Sequence, residues 1–441
     1  MMRRAGAVAA QPSAPSFKRF RSSLGEHVLI VPHTRVFDLP GDLADDWDAD
    51  PAASTRLALT LAEQSPGETA LEDVVVPSAQ SISLNVSSAC NLSCGYCYAD
   101  RGGFGGAQST RMTAEVAIAA VDTLLAGADR RAPVTIGFLG GEPLLNRALV
   151  RQVVDHAERA GAALGLDVRF SMTSNGTLLS EADIAMMRTR RFALTVSVDG
   201  GGAVHDRQRP TARGRGSFAE LAKRLAPLLA DPGSAQVAAR MTVQSDSMDL
   251  AVRFDAVLGI GFSEAGVSPL RVSSNGSELA DEHWPGYLAE LIALSRRELG
   301  RALAGGSIRL TNLAVALKRI HAGSASPYPC GAGGGYFSVA AEGKWYACHR
   351  AVGDAAYELG DSRGLDEKRR QDFLVERHVH SQTDCRGCWA RYLCSGSCHQ
   401  ESRSRSAAGC DFIRDWLSFC LSAYCELSTR RPEYFGIDVT H

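Results

Sequence analysis

Cys90, Cys94 and Cys97 stand in the text CNLSCGYC, near the first quarter of a 441-residue chain. Three thiolates so spaced can each hold one iron of a cubane, leaving the fourth iron open to a ligand from outside the chain. The same residue types suit a structural zinc site or a group of buried thiols. The other nine of the twelve cysteines all lie from Cys330 onward. They run Cys330, Gly343-x4-Cys348, Cys385-x2-Cys388-x5-Cys394-x3-Cys398, Cys410, and then Cys420 and Cys425 at helical spacing in WLSFCLSAYCEL. Short, clustered spacings in a large chain suggest metal or iron-sulfur ligation in a reducing compartment, although Cys-x2-Cys pairs also fit zinc ribbons. Cys420 and Cys425 read as buried structural thiols.

Such groups need strands and helices to position them. Short apolar runs at SISLNV (81–86), VTIGFL (134–139), VRFSMT (168–173), ALTVSV (193–198), VAARMTV (237–243) and AGVSPL (265–270) read as strands. Amphipathic helices separate them, among them EVAIAAVDTLLAG behind Thr113, LVRQVVDHAERAGAALG and SEADIAMMRTR. Strands alternating with helices imply parallel βαβ units, and six units fit an open, partial (β/α)6 TIM-like barrel in an α/β chain. Active-site residues then belong at the carboxyl ends of the strands. The cysteine triplet follows the first strand, Gly140-Gly141-Glu142-Pro143 the second, Thr173-Ser174-Asn175-Gly176 the third, and Ser197-Val198-Asp199-Gly200 the fourth, with His205-Asp206-Arg207 just beyond. Taken singly, each of these is a common turn or cap; four in register at strand ends read as an active site. Arg240, on the fifth strand, suits either that site or a core ion pair.

Around the barrel (76–322) lie a flexible, slightly basic tail (1–25), a small module of two strands and a helix (26–75), and a Cys- and Gly-rich segment (323–441) in which bound metal would compensate for a thin apolar core. Arg3-Arg4 is followed by too short an apolar run for an export signal, and no stretch approaches the roughly 18 apolar residues of a membrane span. A formal net charge of -2 with 45% hydrophobic and 22% charged residues gives no polyanion-binding field, so nucleic acid and membrane are not indicated and a cytoplasmic, soluble protein is expected.

The triplet with Tyr96 before its last cysteine, followed by Gly140-Gly141-Glu142-Pro143 at a strand end, resembles the radical S-adenosylmethionine superfamily. The resemblance implies a 4Fe-4S cluster on Cys90, Cys94 and Cys97 whose open iron binds S-adenosylmethionine and cleaves it to a 5'-deoxyadenosyl radical. It also implies cofactor contacts from Tyr96, Gly140, Gly141, Glu142, Pro143, Ser174, Asn175, Ser197 and Asp199, and an electron donor such as flavodoxin or ferredoxin. The carboxyl-terminal cysteines resemble a SPASM domain, which holds one or two auxiliary 4Fe-4S clusters. By that analogy Cys385, Cys388, Cys394 and Cys410 ligate one, and Cys330, Cys348 and Cys398 the other, whose fourth ligand is not evident and could be a substrate thiolate, or else Cys420 or Cys425. CGAGGGYFSVAAEGKWYACHRAVGD and CRGCWARYLCSGSCH look closest to peptide maturases, those of quinohemoprotein amine dehydrogenase and of thioether-bridged ribosomal peptides. A precursor peptide or protein substrate is then expected, and residues 27–65 could offer it an edge for strand addition or simply form a structural cap over the barrel. Three readings follow: Cys thioether formation; a carbon-carbon crosslink or formylglycine-type oxidation; and, of another class, a non-catalytic metal-binding scaffold or electron carrier. No catalytic base can be named from the residues alone.

Overall fold

The computed structural model describes residues 17–436, apart from 42, 46–51, 53–55, 57–59, 62–70, 72–73, 104–109, 273–275 and 324. Most of the helix expected between residues 54 and 64, and the tail up to residue 16, lie outside the described residues.

Strands Phe17–Ser22 (β1), Gly25–Ile30 (β2) and Arg35–Leu39 (β3) form an antiparallel sheet in the order β1-β2-β3. The first of these corrects the expectation of a tail reaching residue 25. Phe17 to Ser22 pair residue for residue with Ile30 to Gly25, and the Phe20 ring stacks on His27 at 5.2 Å. The Ala-, Pro- and Ser-rich composition ends at Ser16, and the FKRFRS text beyond it suits a strand.

The six strands expected for the barrel are present as Ser81–Ser87 (β4), Val134–Gly140 (β5), Val168–Ser174 (β6), Phe192–Ser197 (β7), Gln236–Val243 (β8) and Ala265–Pro269 (β9), paired parallel in chain order. Helices Ala114–Gly127 (α1), Arg147–Leu164 (α2), Glu181–Thr189 (α3), Gly202–Gln208 (α4), Phe218–Ala230 (α5) and Leu250–Gly259 (α6) connect them. Local capping starts these helices where the text indicated: Thr113 accepts from the Val116 amide, and Ser180 and Asp183 form a reciprocal capping box.

Side-chain alternation gives this sheet two unlike faces. One face of the strands, with Ile82, Leu84, Ile136, Phe138, Phe170, Leu194, Val196, Met241 and Val267 all buried, packs into the main core. The Phe138, Phe170 and Phe192 rings there lie 6.1 to 6.5 Å apart. The opposite face carries small polar residues and glycine in aligned rows: Ser83 beside Gly137 beside Ser171, Thr173 beside Thr195, Ser197 beside Arg240 beside Gly266. Such a face does not fill the lumen with side chains as a closed barrel does.

The sheet does not stop at β4. Tyr336–Val339 (β10) pairs parallel with it, and Trp345–Tyr346 (β11), Glu358–Asp361 (β12) and Gly364–Leu365 (β13) extend the sheet antiparallel to ten strands. The Cys-rich segment is thus hydrogen-bonded into the barrel. Helices Trp284–Leu303 (α7) and Thr311–Ala322 (α8) pack on the last helix, Ala407–Arg430 (α10), while Glu367–Arg377 (α9) covers β12. At the far edge, Asn312 of α8 bonds β9 as a strand would, its Oδ1 accepting from the Val267 amide at 2.8 Å and its Nδ2 donating to the Val267 carbonyl at 2.9 Å. Among the described residues no helix is long and apolar enough to cross a membrane.

Candidate functional site

Cys90, Cys94 and Cys97 sit half-buried in the loop that leaves β4, close enough together that charge on the second and third would raise the pKa of the first. Burial pushes the Cys90 thiol up to about 12 and that of Cys94 upward, a cost that metal coordination removes by deprotonating the thiol outright. Each sulfur faces N–H groups: Leu92 donates to Cys90 Sγ at 3.4 Å, Arg101 to Cys97 Sγ at 3.4 Å, and the Arg209 guanidinium to Cys94 Sγ at 3.9 Å. Among the described residues no three His, Cys, Asp or Glu side chains converge on one metal ion. In a cubane each thiolate meets its own iron, so such convergence is not required of the triplet.

Gly140 and Gly141 seat this loop. A Cβ on Gly140, whose φ is +136°, would stand 2.3 Å from the Ser87 carbonyl oxygen; one on Gly141 would stand 2.3 Å from that of Ala89 and 2.4 Å from that of Arg101. The close approach lets the Gly141 and Glu142 amides donate to the Ser87 and Ala89 carbonyls, both at 2.8 Å. Pro143 opens the short 3-10 turn that follows, with Glu142 as its cap.

Glu142 is fully buried. Its carboxylate accepts from Ser174 Oγ (2.8 Å), the Asn175 amide (2.8 Å) and the Leu144 amide (3.2 Å), yet burial outweighs these bonds and pushes its pKa up to about 7. Asn175 in turn directs Nδ2 at Cys90 Sγ (3.8 Å) and Asn91 Oδ1 (2.9 Å), and Asn91 donates to Thr177 (2.8 Å). One network therefore ties the ends of β5 and β6 to the first cysteine.

A second network ties the end of β7 to the second cysteine. Asp199, wholly buried, accepts from the Tyr96 hydroxyl, from Arg209 Nε (2.8 Å) and from the Thr242 amide (2.8 Å). Arg209 lies over the Tyr96 ring at 5.1 Å before reaching Cys94. Arg253 braces the group from below through the carbonyls of Asp199 (2.6 Å), Ser247 (2.5 Å) and Thr242 (2.7 Å). Both Asp199 oxygens are thus engaged by the protein itself. His205 is buried, held near Ser217 at 3.1 Å, and kept neutral by burial, which drops its pKa to about 4; Asp206 caps α5 through the Ser217 and Phe218 amides, both at 2.8 Å. Arg207 points away, 3.9 Å from Asp246. Ser197 stays half-buried on the lumen face beside Arg240, which donates to Ser268 Oγ at 2.9 Å.

The structure divides the later cysteines into two groups. Cys330, Cys348 and Cys398 interact with one another, with the Arg350 guanidinium 3.8 Å from Cys398 Sγ. Cys385, Cys388, Cys394 and Cys410 line a cavity of about 360 Å³ with Arg405 and Arg414. Cys420 and Cys425 belong to neither: both are buried in α10, Cys420 completely. The three-cysteine group faces the first triplet across two rings, Tyr98 following Cys97 and His349 following Cys348, with centroids 6.1 Å apart. Tyr336 of β10 fixes that histidine, its hydroxyl 2.7 Å from His349 Nδ1 and 2.8 Å from Ser83 Oγ of β4.

The residues present fit the groups that the cysteine pattern implies. Three sulfurs with N–H partners stand at the mouth of a polar lumen, four more ring a cavity, and Asn85 Oδ1, buried against Gly140, accepts no hydrogen bond among the described residues. An unsatisfied buried acceptor beside paired glycines suits the ammonium end of an amino-acid ligand. Sequence reasoning missed Asn85, Asn91, Thr177 and Arg209. Only Arg209 carried a signal, as the second arginine of HDRQR.

An open barrel of six parallel βα units with a cysteine triplet beyond its first strand is the arrangement that the resemblance implied. The chain carries a Radical SAM domain: residues 84–226 match that superfamily, whose members use S-adenosylmethionine and a 4Fe-4S cluster. An uncharacterized protein of Methanocaldococcus jannaschii is 30% identical over 140 residues, 32% of this chain and 45% of that one, so the match spans less than half of that relative. The serine-type anaerobic sulfatase-maturating enzyme of Klebsiella aerogenes is 22% identical over 330 residues, 71% of this chain and 78% of that enzyme. Among solved structures, native anSMEcpe with bound AdoMet and Cp18Cys peptide superimposes with a TM-score of 0.65 at 19% identity, covering 80% of this chain and 99% of that one. This last likeness is one of fold.

Proposed function

We propose that this chain is a peptide or protein maturase that joins a substrate cysteine sulfur to carbon. The observation that carries this reading is the three-cysteine group Cys330, Cys348 and Cys398 opposite the first triplet. Three protein thiolates would leave one corner of a cubane for a substrate thiolate, and the Tyr98 and His349 rings lie between this group and the first triplet. The relatives support a polypeptide substrate: one matures a sulfatase, and the solved structure holds a peptide beside AdoMet.

When bound, the cluster and S-adenosylmethionine supply a 5'-deoxyadenosyl radical. The chain's own residues do the rest by placement. Cys90, Cys94 and Cys97 would hold the cluster; Gly140, Gly141 and Pro143 let the end of β5 approach the cysteine loop and would offer backbone to the cofactor; Glu142, Ser174 and Asn175 order the loop around Cys90. Tyr96 and Asp199 order it around Cys94, and Ser197 lines the lumen beside them. Cys385, Cys388, Cys394 and Cys410 hold a second auxiliary cluster. The net reaction exchanges a C–H and an S–H for a C–S bond: one hydrogen leaves on 5'-deoxyadenosine, one proton goes to solvent, and one electron to an acceptor. A flavodoxin or ferredoxin donor and a cytoplasmic setting complete the reading.

Formylglycine formation is the second reading, favoured by the sulfatase-maturating relative. The test is anaerobic reconstitution with iron and sulfide, then dithionite, S-adenosylmethionine and a Cys-containing peptide, alongside a Cys90→Ala/Cys94→Ala/Cys97→Ala variant. A wild type that releases 5'-deoxyadenosine and converts the peptide to a product two hydrogens lighter, sulfur retained and no longer alkylated, supports the thioether. Loss of sulfur with an aldehyde that captures hydrazide selects formylglycine. A colourless, folded protein that leaves the cofactor intact refutes both. Iron retained in full by Cys420→Ala and Cys425→Ala keeps the open corner; iron lost from either removes it.

A further inference from the structure

Each cysteine group has an arginine against one of its sulfurs, and the three arginines differ in what else they touch. Arg209, 3.9 Å from Cys94 Sγ, is paired with Asp199 at 2.8 Å. Arg350, 3.8 Å from Cys398 Sγ, is paired with Glu401 at 2.5 Å. Arg405 is closer, with Nη1 3.0 Å from Cys385 Sγ, and its other partners are neutral: Gln382 Oε1 and the Gly396 carbonyl, both at 2.6 Å. Among the described residues no carboxylate forms an ion pair with it. Two carboxylates line the same cavity: Asp384 is exposed, where water screens its charge, and Glu401 is paired with Arg271 and Arg350. Arg414 also donates toward Cys388, but it is paired with Asp411.

The guanidinium is held where it is by close packing. A Cβ on Gly396, whose φ is +82°, would stand 2.5 Å from Gln382 Nε2, so the Gly396 backbone and the Gln382 amide form a tight cradle into which Arg405 donates twice. Reducing an iron-sulfur cluster adds one negative charge to it. A fixed cation and an N–H donor at a ligating sulfur stabilise that charge and raise the reduction potential. At the other two sites a carboxylate offsets the cation, Asp199 at Arg209 and Glu401, shared with Arg271, at Arg350.

We propose that Arg405 tunes the cluster on Cys385, Cys388, Cys394 and Cys410 and makes it the most readily reduced of the clusters this chain holds. This rests on the reading that those four cysteines ligate a 4Fe-4S cluster. It assigns that site the character of an electron acceptor, as distinct from the open-cornered site near the lumen.

The experiment is a redox titration of the reconstituted holoenzyme followed by electron paramagnetic resonance. Signals are assigned with Cys385→Ala/Cys388→Ala and Cys330→Ala/Cys348→Ala variants, each of which removes one auxiliary cluster. The signal absent from the first variant is expected to appear at the highest potential in wild type. Arg405→Gln is expected to move that midpoint to more negative potential and leave the other two in place, with Arg405→Lys recovering part of the shift. An unmoved midpoint in Arg405→Gln, or a wild-type order in which this cluster is reduced after either of the others, overturns the proposal. Should Arg405→Gln lose the cluster, the wild-type order alone decides. If iron and sulfide analysis shows that the four cysteines hold no cluster, the assignment of the site falls first and the tuning role with it.

Discussion

Arg209→Met isolates the ion pair that holds the second cysteine. Asp199 is 0% exposed and Arg209 8%, so neither charge is solvated by water to any useful degree. Removing the guanidinium leaves a buried carboxylate with only the Tyr96 hydroxyl and the Thr242 amide as donors. Truncating one member of such a pair costs about 3 to 5 kcal/mol. Methionine keeps a contact with the Tyr96 ring that offsets part of the lost cation-π interaction, so about 4 kcal/mol is expected. Adding Asp199→Asn removes the stranded charge, and the double variant should recover about 2 kcal/mol relative to Arg209→Met. Urea denaturation followed by circular dichroism, across wild type, both single variants and the double, measures all four corners of the cycle. An Arg209→Met cost below about 1 kcal/mol, or a double variant no more stable than Arg209→Met, would refute the buried-pair account.

Three further outcomes follow from the same geometry. Glu142 binds its proton more tightly folded than unfolded, so its contribution is full below pH 4.5 and is lost as pH rises to about 7, a change of about 3 kcal/mol; Glu142→Gln should abolish that part of the pH dependence of urea stability. Gly141→Ala puts a methyl group 2.3 Å and 2.4 Å from two backbone oxygens of the cysteine loop, and iron analysis should show the loss of one cluster while the auxiliary clusters remain. Deletion of residues 1–65 tests the amino-terminal sheet: weakened binding of the cognate peptide by a folded truncation is expected if its edge receives the peptide, and unchanged binding makes the sheet a structural cap.

The barrel strands were legible because alternation is itself the signal. SISLNVS reads polar and apolar in turn, and in the structure Ser83 and Leu84 do face lumen and core. The triplet, the paired glycines with Glu142, and Ser174 and Asn175 were legible as strand-end text, and the structure brings them into contact. What escaped depends on distance along the chain. Tyr336 to Val339 pair with Ser81 to Leu84, more than 250 residues earlier, and nothing local in YFSV marks a barrel partner. Arg209 acquires its role only when α4 returns it to Asp199 and Cys94. Conversely, His205 and Asp206 stood out in the text but serve as a buried packing group and a helix cap.

The side-chain amide of Asn312 has a consequence for how this protein behaves in a crowded solution. An unpaired outer strand of a parallel sheet is a template on which another chain can grow. The Arg309 carbonyl accepts from the Ala265 amide at 3.0 Å, and Asn312, offering Val267 one donor and one acceptor in the spacing of a peptide group, carries the same edge one step further. With these groups already bonded, the β9 edge offers another extended chain no free ladder there.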